Sequence, residues 1–242
     1  MSNFLTFSVA IFNNLRATEK CIRSIESTVK NEAYEVLIYD NNSTDQNLLS
    51  FYKTLNKDVY KVHLGNNNIG YKTAHKFNAS LDFGGDFFII INNDLEFLEP
   101  NWNRKLRQVY TKDTGIIGLK GPEVRNALTT AGRGYVDNRV KAPWYIEGMF
   151  MAIPRDVLKK EGLFNNPEIQ FCYSEDTDYS FELQSKGYVL KQIEIKFNHE
   201  IESTLRLVSE DLRKKIKSQQ SLNHAALIKK WRPFIESLRN MK

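Results

Sequence analysis

Amides and carboxylates recur in this chain where apolar runs stop. Asn13 and Asn14 follow "SVAIF", Asp40 with Asn41, Asn42 and Asp45 follows "EVLIY", Asn66 to Gly70 follow "VYKVHL", and Asn92, Asn93 and Asp94 follow "DFFIII". Any one cluster has a plain reading, because Asn, Asp and Gly are turn formers. Four in succession make a polar crevice rich in hydrogen-bond acceptors, provided the four runs are neighbouring strands. A second acidic cluster, "SEDTD", holds Glu175, Asp176 and Asp178. Acids in a first helical turn favour its positive end, so capping explains them without any chemistry, while a carboxylate there can also serve as a base.

The elements that would position these groups are legible. "LTFSVAIF", "YEVLIYD", "VYKVHL" and "DFFIII" read as strands from β-branched and aromatic content. Between them, "NNLRATEKCIRSIESTVK", "QNLLSFYKTL" and "KTAHKFNASL" read as helices, the first with Cys21, Ile22, Ile25 and Val29 at helical spacing. Strands alternating with helices imply an α/β fold with a mainly parallel central sheet and helices on both faces. In such sheets ligands bind beyond the carboxyl ends of the strands, where the polar clusters lie. After Pro100 the pattern becomes α+β: a helix at "WNRKLRQVY", a strand with turns at "TGIIGLKGPEV", and a strand running into a helix near Pro154. Ser174 is the expected N-cap of a helix stopped by Gly187. A last helix is expected from Ser209, turning Leu212 and Ile216 inward and not continuing regularly through Pro233.

Of the 242 residues, 41% are apolar and 12% aromatic, enough for a substantial core. The net charge of +5 is uneven: residues 205–242 hold ten Lys or Arg against three Asp or Glu, leaving 24 against 26 before them. The longest apolar runs are far shorter than the roughly 20 residues that span a bilayer. The start "MSNFLTFSVAIFNN" lacks a basic segment and cleavage site, so the expected setting is cytoplasmic. Cys21 and Cys172 lie in unrelated apolar contexts and are expected as core thiols, with neither a disulfide nor a zinc site indicated.

Taken in order, the motifs resemble the inverting GT-A-fold glycosyltransferases of family 2, over roughly residues 5–200. "VAIFNN" looks like the first-strand motif at the nucleotide base, and "EVLIYDNNSTD" is similar to the second-strand signature. "NNNIGYKTAHKFN" resembles the stretch under the donor, and "IIINNDLEF" stands where the family has its metal-binding D-x-D motif. "EGMFMAIPRDVLKKEGLFNN" looks like the acceptor segment, and "YSEDTDYSFELQSKGY" resembles the E-D motif that carries the catalytic base.

The resemblance implies a nucleotide-diphospho-sugar donor, preferentially a UDP-sugar, and a divalent cation, Mn2+ or Mg2+. Donor contacts would come from Phe12, Asn13, Asp40, Asn42, Asp45, Gly70, Asn92 and Asn93. Asp94 and His199 would be metal ligands, Asp176 the base, and Glu175 a ligand for an acceptor hydroxyl. The first acid of the metal motif is replaced by Asn92, so metal affinity from the protein alone is expected to be weak, with donor and metal binding together. As a lone histidine, His199 is equally read as hydrogen-bonded or exposed, which is the reading for His63, His75 and His224. Trp144, Glu147 and Gly148, with Tyr145, would line an acceptor pocket or simply belong to the core.

The implied division is a glycosyltransferase domain over 1–204, its nucleotide-sugar half 1–100 and acceptor half 101–204, followed by a basic helical extension at 205–242. The acceptor would be a glycan, a lipid-linked or another hydroxyl, in bacterial-type glycan synthesis. Two alternatives stay open: a non-catalytic nucleotide-sugar-binding module, favoured by Asn92, and a transferase acting on nucleic acid. The basic tail admits contact with nucleic acid or, peripherally, with an anionic membrane at its inner face.

Overall fold

The computed structural model of the chain describes residues 3–81, 83–119, 145–200 and 207–240. The four expected strands are β1 (Phe4–Ile11), β2 (Ala33–Asp40), β3 (Tyr60–Leu64) and β4 (Phe87–Asn92), connected by α1 (Leu15–Thr28), α2 (Gln46–Tyr52) and α3 (Gly70–Ser80). They lie side by side in the order β3-β2-β1-β4, all parallel. Ile11 pairs with Asp40, Asp40 with Leu64, and Ala10 with Asn92. The carboxyl ends therefore finish level with one another, and the polar residues at and beyond them are delivered to one edge.

The second half adds β5 (Leu95–Phe97), α4 (Asn103–Val109), β6 (Thr114–Leu119), β7 (Phe150–Pro154), α5 (Arg155–Glu161), α6 (Glu175–Ser185), β8 (Val189–Ile193), β9 (Phe197–His199) and α7 (Glu210–Asn240). The main sheet continues β4-β7-β6-β8, making seven strands; β7 runs antiparallel to both its neighbours, and β6 is parallel to β8. A separate antiparallel pair, β5 with β9, stands outside this sheet.

β4 shows why helices cover both faces. Side chains alternate along a strand, so Phe87, Ile89 and Ile91 pack in one layer with Cys21, Ile22 and Ile25 of α1. Phe88 and Ile90 pack in the other with Val157 and Leu158 of α5 and Tyr179 and Leu183 of α6. All five β4 side chains are fully buried, and each contributes roughly 1.5–3 kcal/mol of burial free energy.

Ser174 stands at the N-cap of α6 as expected, with φ 73° and no capping bond from its side chain. One local expectation fails for a physical reason. α7 continues through Pro233 to Asn240. Trp231 and Phe234, on either side of the proline, pack into a cluster with Phe181 of α6, and this tertiary packing offsets a local cost of about 3 kcal/mol.

Candidate active site

The level strand ends, the loop before α6 and the first turns of α7 enclose one cavity of about 530 Å³. On its sheet side lie Phe12, Asn41, Gly70, Asn92, Asn93 and Asp94. The same cavity is lined by Tyr145, Glu147, Gly148, Glu175 and Asp176, and by His199 next to Asp94. Residues read separately as donor-side and acceptor-side thus share one space. Trp144 lies outside the described residues.

The β5–β9 pair explains the placement of His199. Leu95 pairs with His199, which brings His199 Nε2 to 3.2 Å from Oδ1 of the preceding Asp94. Asn92 Nδ2 approaches the same ring nitrogen at 3.5 Å. A carboxylate beside an imidazole is a donor pair that can ligate a divalent cation. Among the described residues no group of three or more His, Cys, Asp and Glu is arranged to hold a metal; Asp94 and His199 could supply two ligands, and a cation there would need others from elsewhere.

Asp176 and Glu175 occupy the first turn of α6. Asp176 Oδ2 accepts from Gly148 N at 2.9 Å, and Oδ1 from Thr177 N at 2.7 Å and Thr177 Oγ1 at 3.3 Å. Burial raises its pKa above the ordinary carboxylate value despite these bonds. Glu175 is buried, Oε2 has no hydrogen-bond partner, and burial together with the Asp176 charge pushes its pKa up to about 8. At neutral pH it is a protonated group in the cavity wall. Tyr71 OH donates to Gly148 O at 2.5 Å. Its pKa is raised well above the usual phenol value, first by burial and then by Glu175, Asp176 and Asp94.

The Glu175 shift carries a sign that can be tested. Unfolded, the carboxyl ionises near 4.5; folded, it keeps its proton to about pH 8. The folded state holds the extra proton between those values, so stability falls as pH rises through that window and levels off above it. Glu175→Gln removes the titration. Its thermal midpoint should match wild type near pH 4.5 and exceed it at pH 8.5; a constant difference across pH would refute the assignment.

Several of the expected donor residues also hold the fold together. Asp40 is buried, its carboxylate accepting from Ser43 N at 2.6 Å and Tyr52 OH at 2.7 Å, and it does not line the cavity. Its neighbour Asn41 does, with Oδ1 accepting from Ile69 N at 3.1 Å. Asn42 is exposed with φ 67°, a turn residue away from the cavity. Asp45 caps α2 by accepting from Asn47 N and Leu48 N. Asn13 Oδ1 accepts from Thr44 N at 2.9 Å and Asp45 N at 3.2 Å, tying the first strand end to the second. Asn93 lines the cavity while its Nδ2 donates to Thr18 Oγ1 at 3.0 Å. At Gly70, φ is 81° and an added Cβ would come within 2.6 Å of Phe171 O, so no other residue fits there.

The sequence profile of glycosyl transferase family 2 matches residues 6–160, well over half the chain. The chain belongs to glycosyl transferase family 2. A curated relative, the dolichyl N-acetyl-alpha-D-glucosaminyl phosphate 3-beta-D-2,3-diacetamido-2,3-dideoxy-beta-D-glucuronosyltransferase of Methanococcus voltae, is 24% identical over 212 residues. That match covers 78% of this chain and 64% of the relative, so the chain spans under two thirds of the relative's length. Among solved structures, the mannosyltransferase PcManGT of Pyrobaculum calidifontis, held with GDP-Man and Mn2+, aligns with TM-score 0.59 and 16% identity over 78% of this chain and 54% of its own. GalNAc-T7, held with UDP, GalNAc and Mn2+, aligns with TM-score 0.67 and 17% identity over 81% of this chain and 43% of its own. The fold of this family 2 chain is GT-A.

The family profile ends before α6, yet α6 and α7 complete the cavity. Asp178, read from sequence as electrostatic support for the helix end, instead docks α7. Its Oδ1 accepts from Trp231 Nε1 at 2.7 Å and Asn166 Nδ2 at 3.1 Å, and Lys230 Nζ lies 3.0 Å from the same oxygen. Leu212 and Ile216 of α7, with Val208 just before it, run along the cavity wall. Cys172, expected in the core, is only half-buried there, whereas Cys21 is fully buried. Among the expected plain histidines, His75 is buried with Nδ1 2.7 Å from Ser8 Oγ, and burial lowers its pKa to about 3.

Proposed function

We propose that this chain is an inverting glycosyltransferase that moves a sugar from a nucleotide-diphosphate donor to an acceptor hydroxyl. The observation that carries the reading is the shared cavity: Asp94 and His199 face the same space as Glu175 and Asp176. The donor diphosphate would lie at the sheet edge, over Gly70 and against Asn92, Asn93 and Asp94. Asp94 and His199 would hold a divalent cation bound together with it. Such a cation supplies positive charge against the departing diphosphate.

The chain's own groups account for the acceptor side. Asp176 takes the proton of the acceptor hydroxyl as the oxygen bonds to the anomeric carbon, and the electron pair of the breaking carbon–oxygen bond leaves with the diphosphate. Gly148 N holds Asp176 Oδ2 in place. Protonated Glu175 offers a hydrogen bond to the same hydroxyl or its neighbour, giving its unpartnered Oε2 a role. One displacement from the far side inverts the anomeric configuration.

UDP-sugars are the first donor class to test and GDP-sugars the second, since the aligned structures hold one of each. The curated relative's name puts a dolichyl-linked sugar among the acceptor classes. No helix of the described residues is long and apolar enough to cross a membrane, and the exposed lysines of α7 suit peripheral contact with an anionic bilayer that presents a lipid-linked acceptor. Proton NMR of the transferred sugar tests the chemistry: an α-linked donor should give a β-linked product, and retention of configuration would overturn the single displacement.

A further inference from the structure

The turn that presents Glu175 and Asp176 is held in an unfavourable backbone conformation from two sides. Phe171, Tyr173 and Ser174 have φ of 65°, 71° and 73°. Three non-glycine residues in the left-handed region within four positions persist only where surrounding structure over-determines them. On the sheet side, Lys72 of α3 donates from its backbone N to Phe171 O at 3.0 Å, and its buried Nζ donates to the carbonyls of Asn166 and Ile169.

On the other side stands Asn223 of α7, fully buried. Its Nδ2 donates to Gln170 O at 2.7 Å, Cys172 O at 2.7 Å and Tyr173 O at 3.0 Å, one hydrogen being shared. Its Oδ1 accepts from Gln170 N at 3.0 Å and from Gln219 Nε2 at 2.8 Å. Nearly all of these bonds go to the backbone of the turn. The docking of α7 is supplied elsewhere, by Trp231 and Lys230 on Asp178 and by Leu227 and Ala226 in the cluster with Phe181. Asn223 is therefore spare as an anchor and specific as a template for the turn.

We propose that Asn223 is a positioning residue for sugar transfer, its amide fixing the Gln170–Ser174 turn in the form that sets Glu175 and Asp176 against the cavity. The kinetic part rests on the transferase reading; the structural part does not. α7 is on this view a working part of the active site.

The test uses the full chain with Asn223→Ala and Asn223→Asp, reading amide hydrogen exchange, donor affinity and turnover. In Asn223→Ala, exchange over 170–178 should rise about tenfold or more while 226–234 stays near wild type, because apart from the Gln219 side chain only the turn loses its partner. Donor affinity should hold within about twofold and kcat should fall about a hundredfold, the cost of a small misplacement of the base. Asn223→Asp should be worse, since a carboxylate faces three carbonyls with nothing to donate; if it does not fold, the alanine variant decides alone. Wild-type turnover in Asn223→Ala, or loosening of 226–234 equal to that of 170–178, would overturn the proposal. If no donor turns over even in wild type, the transferase reading fails, and unchanged protection at 170–178 would still reject the clamp.

Discussion

Asp176→Asn is expected to lower kcat by roughly a thousandfold, within the range for loss of a general base, while donor affinity changes by less than about twofold. The asparagine keeps one oxygen for Gly148 N or Thr177 N, the partners that now hold the carboxylate at 2.9 and 2.7 Å, and gives up the other bond while keeping the side chain's size and shape. What it loses is the capacity to take a proton. Glu175 is a poor substitute because burial, the larger cause of its raised pKa, persists in the variant, although the Asp176 charge that adds to it is gone. Nucleotide release under saturating donor, beside a donor titration, measures both quantities. Turnover above a tenth of wild type would move the base elsewhere.

Asp178→Ala should produce the largest loss of stability. The carboxylate is buried and serves Trp231 Nε1, Asn166 Nδ2 and Lys230 together. Lys230 is partly exposed and can turn to water, but the indole and the amide would be left buried without acceptors, at roughly 1–3 kcal/mol each. For a chain of this size that corresponds to a fall of about 4–24 °C in thermal midpoint. α7 would loosen first, and because Val208, Leu212 and Ile216 form part of the cavity wall, acceptor KM should rise as well. A midpoint within about 2 °C of wild type would show that α7 docks by other contacts.

The sequence reading reached the sheet-side half of the site because that half is local. Each of β1 to β4 is an apolar run with its own polar loop directly after it, so strand, strand end and ligand groups are written consecutively. Alternation at a strand end is harder to read: Asp40 and Asn41 are adjacent, and the acid, which looks the better ligand, meets Ser43 and Tyr52 while the amide lines the cavity. β5 and β9 are three residues each, too short for any periodicity to register, and they exist by pairing with one another. His199 could be named as a ligand only by resemblance; its 3.2 Å approach to Asp94 is a product of that pairing.

The contribution of α7 was hidden for a related reason. Leu212 and Ile216 were legible as inward-facing, but the stripe continues through Asn223, Leu227 and Trp231, and a buried asparagine among apolar residues gives no sign of which backbone it will hold. Pro233 misled in the same way, since a local penalty was outweighed by contacts with a helix far away in sequence.

Calorimetric titration of the chain with UDP- and GDP-sugars, with and without Mn2+, bears most directly on whether this cavity is a donor site completed by the donor's own phosphates. The arrangement predicts one site per chain for at least one donor, affinity at least about tenfold higher with Mn2+ because two protein ligands alone hold the cation weakly, and loss of that gain in Asp94→Ala. Absence of binding by every nucleotide-sugar, or binding that Asp94→Ala leaves equally Mn2+-dependent, would contradict it.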